Sequence, residues 1–143
     1  MFYAFFIFYM KLMRIWAAGI IIKDKRILLA KRSNYTKAFP MYWTIPWGRW
    51  EWNELPEELV VREVKEEMNL DFTPTKLFQS GIVENSWEPI KTHRFLWDFS
   101  WTVKIQEEEV DWFAWYTYDE TLNLKVAFDY PEILKQLNEE WYL

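Results

Sequence analysis

The chain of 143 residues contains no cysteine. Disulfides, thiol nucleophiles and cysteine-type zinc sites are therefore excluded, and redox chemistry does not identify the compartment. It has a single histidine, His93. One imidazole makes neither a zinc site nor a catalytic pair without partners, which favours a structural role. Glycine is scarce at 3 residues, so many turns must fall to Asn, Asp and Pro. The apolar start, Met1 to Met10, is too short for a bilayer span of ~20 residues. No basic segment precedes it and no small-residue cleavage site follows it, so it does not read as a secretory leader. Positive charge is in deficit, with a net charge of −5. A duplex nucleic-acid binder would need a basic stripe. The expectation is a cytoplasmic protein with no stable membrane insertion and no duplex nucleic-acid partner.

Aromatic residues are plentiful: 11 of the residues are Trp, and aromatic content is 21%. With 51% hydrophobic residues, this is the composition of a folded chain rather than a disordered one. The length suits one domain spanning residues 1–143, with residues 1–12 as an apolar extension and Met10 or Met13 as alternative starts. Aromatics in excess of a core's needs suggest a homodimer face or a stacking pocket.

The most informative stretch runs from Gly48 to Leu70. Pro56 suits a first helical position, and Glu57 and Glu58 place negative charge at the positive end of the helix dipole. Val60, Val61, Val64 and Met68 then recur at helical spacing and can face a core. Glu63, Glu66 and Glu67 fall on an adjoining arc of about 100°. Like charges at this spacing oppose an isolated helix by roughly 0.2–0.5 kcal/mol per pair. A divalent cation reverses that sign, since hard oxygen ligands suit Mg²⁺. Arg62 can reach back to Glu54 or Glu63 and orient a carboxylate. Three glutamates on a helix are ordinarily a solvated face. The full pattern is rarer: Gly, five residues, Glu, seven residues, Arg-Glu, an aliphatic, one residue, Glu-Glu. By chance it recurs about once in 10⁷ positions.

Gly48, Glu54, Arg62, Glu63, Val64, Glu66, Glu67 and Leu70 together resemble the Nudix box. Asn69 stands where that family has Gly, a mild change because Asn tolerates the left-handed conformation of a helix end. Upstream, Trp43-Thr-Ile-Pro46-Trp47-Gly48 resembles the family's Trp-x-x-Pro-Gly-Gly approach, with Trp47 in place of the first Gly. Asn53 replaces another Gly. An indole at 47 either narrows the site or gives a base something to stack on. The likeness extends more loosely over residues 14 to 137. It implies an α/β/α sandwich around a mixed β-sheet. It also implies that Glu63, Glu66, Glu67 and the Gly48 carbonyl hold Mg²⁺ (or Mn²⁺), while Glu54 and Arg62 hold the loop against the helix. The implied activity is hydrolysis of a phosphoanhydride in a nucleotide. A MutT-type nucleoside triphosphate pyrophosphohydrolase, giving a nucleoside monophosphate and pyrophosphate, fits the size best. The alternatives are a hydrolase of another nucleoside diphosphate derivative, such as ADP-ribose or a dinucleoside polyphosphate, and a nucleotide-binding module without turnover. Some ADP-ribose hydrolases of the family carry a Pro about sixteen residues past the box; here that position is Ser86.

Elsewhere, Ile15–Ile22 and Arg26–Lys31 read as a hairpin around Lys23-Asp24-Lys25. Arg32, at its end, would bring positive charge to a phosphate. Lys76–Glu84, Ile90–Val103 and Asp111–Thr117 read as strands, the second alternating and half-buried. Pro131–Trp141 reads as an amphipathic helix. Asp129, just before it, either accepts hydrogen bonds from a guanine edge or caps that helix. A general base would come from the box or from Glu107, Glu108 and Glu109.

Overall fold

Ala17 to Ile22 reads Ala-Ala-Gly-Ile-Ile-Ile, a run with no polar face, and such a strand must be covered on both sides. The computed structural model describes residues 14–51, 54–84, 89–98 and 112–143. In it this run is the middle of β1 (Arg14–Lys23). β1 turns through Asp24 and Lys25 into β2 (Arg26–Lys31), both turn residues taking positive φ, 51° and 62°. That is the backbone of a two-residue hairpin turn, made here without glycine. β3 (Trp43–Thr44) pairs with β2, and β4 (Trp47–Arg49) pairs antiparallel with the first half of β1. Helix α1 (Pro56–Met68) follows. β5 (Lys76–Glu84) and β6 (Pro89–Asp98) come next, then β7 (Phe113–Tyr116), α2 (Tyr118–Thr121) and α3 (Tyr130–Glu139).

Among the described residues, seven strands form one mixed sheet with the order β3-β2-β1-β6-β5; β4 also pairs with β1, and β7 with β2. β1 and β6 run parallel in register from Arg14 opposite Ile90 to Ile22 opposite Asp98. Alternate residues of β1 serve two cores. Ala17 and Ile21 pack with Leu59, Val60 and Val64 of α1, while Ala18, Ile20 and Ile22 pack with Ile133, Leu134 and Leu137 of α3. Gly19 permits the first contact: a Cβ there would lie 3.1 Å from methyls of both Val60 and Val64. Helices on both faces of a mixed sheet make the expected α/β/α sandwich.

Two expectations change. β6 is not half-buried: Phe95 and Trp97 enter one core and Leu96 the other, and Arg94 is also buried. The part of that stretch beyond Asp98 lies outside the described residues. On α1, Val61 is exposed and Leu59 is fully buried. Leu59 precedes Glu63 by four residues and Glu66 by seven, so it sits on their side of the helix. The helix is rolled toward its own carboxylates, which brings them closer to the core than the spacing of valines suggests. No helix among the described residues is long and apolar enough to cross a membrane.

Candidate active site

Strand β4 places the two halves of the site, because successive strand residues point to opposite faces. Gly48 lies opposite Ala17 and faces α1, whereas Trp47 lies opposite Ala18 and faces the α3 side. On the α1 side, a Cβ on Gly48 would lie 2.1 Å from Glu63 Cγ. Glycine is thus the condition for the Glu63 side chain to lie against this strand.

α1 is fixed at both ends. Leu55 N–H donates to Glu58 Oε1 at 3.2 Å, Pro56 opens the first turn, and Asn69 closes the last with φ 55° and its N–H on Lys65 O. The loop before it is held by Arg62, whose Nε and Nη2 donate to Glu54 Oε2 and Oε1 at 3.0 and 2.7 Å. Trp50 Nε1 donates to the Glu54 carbonyl at 2.6 Å. Nη1 of the same guanidinium donates to Glu63 Oε1 at 2.9 Å and to Glu66 Oε2 at 3.4 Å. Arg62 thus reaches both carboxylates considered from sequence, Glu54 and Glu63, and Glu66 besides. Its hydrogen bonds hold the Glu54 carboxyl below the usual carboxylate range, and Glu54 in turn pushes Arg62 up.

A bidentate fork of this kind has a testable consequence. Arg62→Lys keeps the charge and loses the geometry. We expect a loss of about 1–3 kcal/mol in stability, read as a lower thermal midpoint together with lower turnover. An unchanged midpoint would show the fork to be incidental. The Glu54 link is also acid-labile: its folded value is depressed, so its contribution is present above the ordinary carboxylate range and is lost as pH falls through the folded value.

Glu63, Glu66 and Glu67 share one side of α1, but among the described residues no three carboxylate or imidazole groups are gathered at metal-ligand spacing. Arg62 engages Glu63 and Glu66. The electrostatics retain the strain of the cluster. Loss of surrounding water first, then the charges of Glu63 and Glu66, push Glu67 up to about 7. Burial also raises Glu63, against the pull of Arg62. Crowded hard-oxygen donors of this kind fit a divalent cation. Glu107, Glu108 and Glu109 lie outside the described residues.

On the α3 side, Trp47 opens onto a cavity of about 360 Å³ walled by Trp16, Trp47, Phe39 and Phe128, with Arg94 and Asp129 among its lining. The Trp16 and Trp47 rings stack at 4.6 Å, and Phe128 stands edge-on to Trp47 at 5.6 Å. Phe39 and Phe128 both sit at positive φ, 49° and 57°, where bulky residues are rare. Their rings lie 4.9 Å apart, so two strained backbone positions deliver two walls of one cavity. Arg32 lies over Phe128 at 5.0 Å and over Trp47 at 5.9 Å, its Nε and Nη2 donating to Ala38 O. Burial pulls its pKa down. Asp129 occupies the N-cap position of α3, but its side chain makes no cap hydrogen bond. Its carboxylate accepts from Arg94 Nη2 at 2.8 and 2.6 Å instead.

Of the residues chosen from separate parts of the sequence, Trp47 and Asp129 line one cavity, and Arg32 lies against the rings of Trp47 and Phe128 that wall it. Trp16, Phe39 and Arg94 were missed. The available signal for Arg94 was a charged residue inside an apolar strand. Phe39 and Trp16 gave none. His93 is half-buried and stacks at 6.4 Å on Phe95, its pKa lowered by burial and then by Lys91.

The family model of the NUDIX domain matches residues 13–137. The chain belongs to the Nudix family. A stretch of 52 residues is 50% identical to an ADP-ribose pyrophosphatase of Methanocaldococcus jannaschii, covering 36% of this chain and 30% of that relative. The match thus spans less than a third of that protein's length. Among solved structures, the E. coli ORF135 protein is 26% identical, with a TM-score of 0.69 over 90% of this chain and 93% of that one. The NUDIX domain of Shewanella oneidensis NrtR, solved with ADP ribose, is 20% identical, with a TM-score of 0.69 over 88% of this chain and 86% of its own. The last of these supports the fold alone. The chain has the Nudix α/β fold. In this Nudix protein, the Trp that replaces the first Gly of the approach is turned away from the box. It walls the cavity on the far side of β4 and leaves the Gly48 edge to Glu63.

Proposed function

We propose that this Nudix hydrolase cleaves a nucleoside triphosphate to the monophosphate and pyrophosphate, in the manner of MutT-type enzymes and with Mg²⁺. The observation that carries the reading is the adjacency of Trp47 and Gly48: one residue walls an aromatic cavity of nucleobase character, and the next borders the acidic box. A flat ring suits walls made of Trp and Phe, and the reading requires the phosphates of the same molecule to pass the Gly48 edge of β4 to reach the box. The buried Tyr130 phenol lines the cavity. Burial pushes its pKa up strongly, and Arg94, Asp129, Arg32 and Glu67 all act on it electrostatically.

Glu63, Glu66 and Glu67, with the Gly48 carbonyl, would hold the cation. When bound, it supplies neutralisation of the diphosphate charge and polarises a phosphoryl oxygen. The chain's own part is positioning, which carries much of phosphoryl-transfer catalysis. Arg62 keeps the Glu54 loop and two box carboxylates in one frame, Trp47 and Phe128 hold the base, and Arg32 offers charge at the cavity rim.

A second reading is favoured by the local similarity to an ADP-ribose pyrophosphatase: the substrate would be ADP-ribose, cleaved to AMP and ribose 5-phosphate. A panel of nucleoside triphosphates and ADP-ribose with Mg²⁺ or Mn²⁺ separates the two. We expect pyrophosphate release from a triphosphate with kcat/KM at least about tenfold above ADP-ribose, a difference of ~1.4 kcal/mol. Faster AMP release from ADP-ribose would install the second reading. Nucleotide binding with no product from any substrate would identify a binding module.

A further inference from the structure

Strand β5 ends the sheet, and among the described residues it pairs only with β6. Its outer row of N–H and C=O groups is a template for a further strand. Natural edges are commonly blunted by proline, by lysine in mid-strand or by a charge turned inward. β5 reads Lys-Leu-Phe-Gln-Ser-Gly-Ile-Val-Glu, with no proline and with charge only at its two ends. It carries two exposed aliphatic residues instead, Leu77 at 48% and Ile82 at 60%.

The register against β6 shows where those two residues stand. Leu77 lies opposite Phe95, Ser80 opposite His93 and Ile82 opposite Lys91. These are alternate residues of β6, so Leu77, Ser80 and Ile82 share one face, the one on which Phe95 enters the α1 core. Between Leu77 and Gln79 the ladder skips Phe78, which forms a bulge. Counted along the ladder, Leu77 and Ile82 are then equally far from Ser80, on opposite sides of it. A two-fold axis through Ser80 therefore sets Leu77 of each copy opposite Ile82 of the other, and Gln79 opposite Gly81. The basic end of each strand also meets the acidic end of the other.

Gly81 points the same way. Among the described residues, a Cβ there would approach only Thr92 Oγ1, at 3.9 Å, an ordinary contact. Packing within the chain leaves room for a side chain at that position. A mid-strand glycine without an internal reason marks a bend or the close approach of another chain. The bulge lies at Phe78, not at Gly81, which leaves the approach.

We propose that β5 is the seam of a homodimer, in which two copies join their sheets antiparallel about Ser80. Each copy uses the same edge, so the association closes at two. The face is aliphatic and main-chain, not the aromatic one that composition suggests. Gln79 at the seam also accepts from Arg94 Nη1 at 2.8 Å, so the second copy backs the strand behind the cavity.

The chain lacks cysteine, and a single introduced thiol therefore reports the axis. Ser80→Cys sets that thiol opposite its own copy, with Cα atoms about 4.5–5.5 Å apart, a separation a disulfide spans. Under mild oxidation it should form a covalent dimer at least about tenfold faster than Tyr35→Cys, whose exposed thiol meets another only by collision. Sedimentation of the wild type should show a monomer–dimer equilibrium in the micromolar range, as suits a seam smaller than a standard interface. Leu77→Lys or Ile82→Glu alone should weaken it at least about tenfold. The double variant sets Lys against Glu twice and should recover most of that loss. The two positions lie ~13 Å apart along one strand, so this recovery comes only from a second copy. Both residues are exposed, and melting curves check that each variant folds. A strictly monomeric wild type overturns the inference and leaves the edge to another occupant. Cross-linking of Ser80→Cys no faster than that of Tyr35→Cys, or a double variant as weak as the singles, overturns it as well.

Discussion

Glu67→Gln is expected to lower Mg²⁺-dependent turnover by about 10²–10³-fold, the scale of removing one preorganised electrostatic group, and to make the metal-free protein more stable. The two effects have one origin. In the folded chain Glu67 loses water and faces Glu63 and Glu66, so its carboxyl is pushed up to about 7 from a usual value of 4.5. A raised carboxyl means that the charged form is disfavoured by folding. Between those two values the unfolded chain has released a proton that the folded chain retains. Metal-free stability therefore falls as pH rises from about 4.5 to about 7 and levels off above it. The Gln variant has no such proton and no such fall. Much of the Glu67 residue remains in solvent, which screens the repulsion, so the gain at pH 8 is about 1 kcal/mol. Melting curves in chelator at pH 5 and pH 8 check it: the midpoints should converge at the lower pH and separate at the higher one. Equal midpoints at pH 8, or more than a tenth of wild-type turnover, would remove Glu67 from the metal-holding role.

Legibility from sequence followed locality. The box is written locally: Gly48, Glu54, Arg62 and the three glutamates lie within twenty residues, at spacings that a helix converts directly into neighbours. β1 and β2 were also readable, because a polar Lys-Asp-Lys between two aliphatic runs needs only local rules. What could not be read was the direction in which each residue looks once β4 pairs with β1. Trp47 seemed to threaten the box by its adjacency to Gly48. Adjacency along a strand places it on the other face, and that fact depends on the Ala18 partner 29 residues upstream. The strand holding Arg94 was read as half-buried for the same reason: period-two alternation gives the two sides of a strand, not what covers them. The cavity itself draws on β1, the loop holding Phe39, β4, β6 and the turn before α3. No local pattern joins segments so far apart. The positive φ at Phe39 and Phe128 was equally invisible, since sequence rules reserve such backbone for Gly, Asn and Asp.

The second large effect is expected at Gly48, where the same strand geometry fixes what a single methyl would do. An Ala Cβ would lie 2.1 Å from Glu63 Cγ and 2.2 Å from its Cδ, separations that no packed structure sustains. Two responses are available. β4 can move off β1, breaking pairs at Ala17 and Ala18, or the Glu63 side chain can swing away. A flexible side chain yields at lower cost than a paired strand, so the displacement falls on Glu63 and its contact with Arg62. Gly48→Ala should then melt within a few degrees of the wild type. It should also bind Mg²⁺ at least about tenfold more weakly, with turnover lower by about 10²-fold, the scale for a misplaced catalytic group. Calorimetric titration with Mg²⁺ alone, a melting curve and one rate measurement decide between the responses. A collapse in melting temperature would mean that the strand had moved instead. Unchanged Mg²⁺ binding in a folded protein would mean that Glu63 is not a ligand, and the proposed cation site would have to be rebuilt from Glu66 and Glu67.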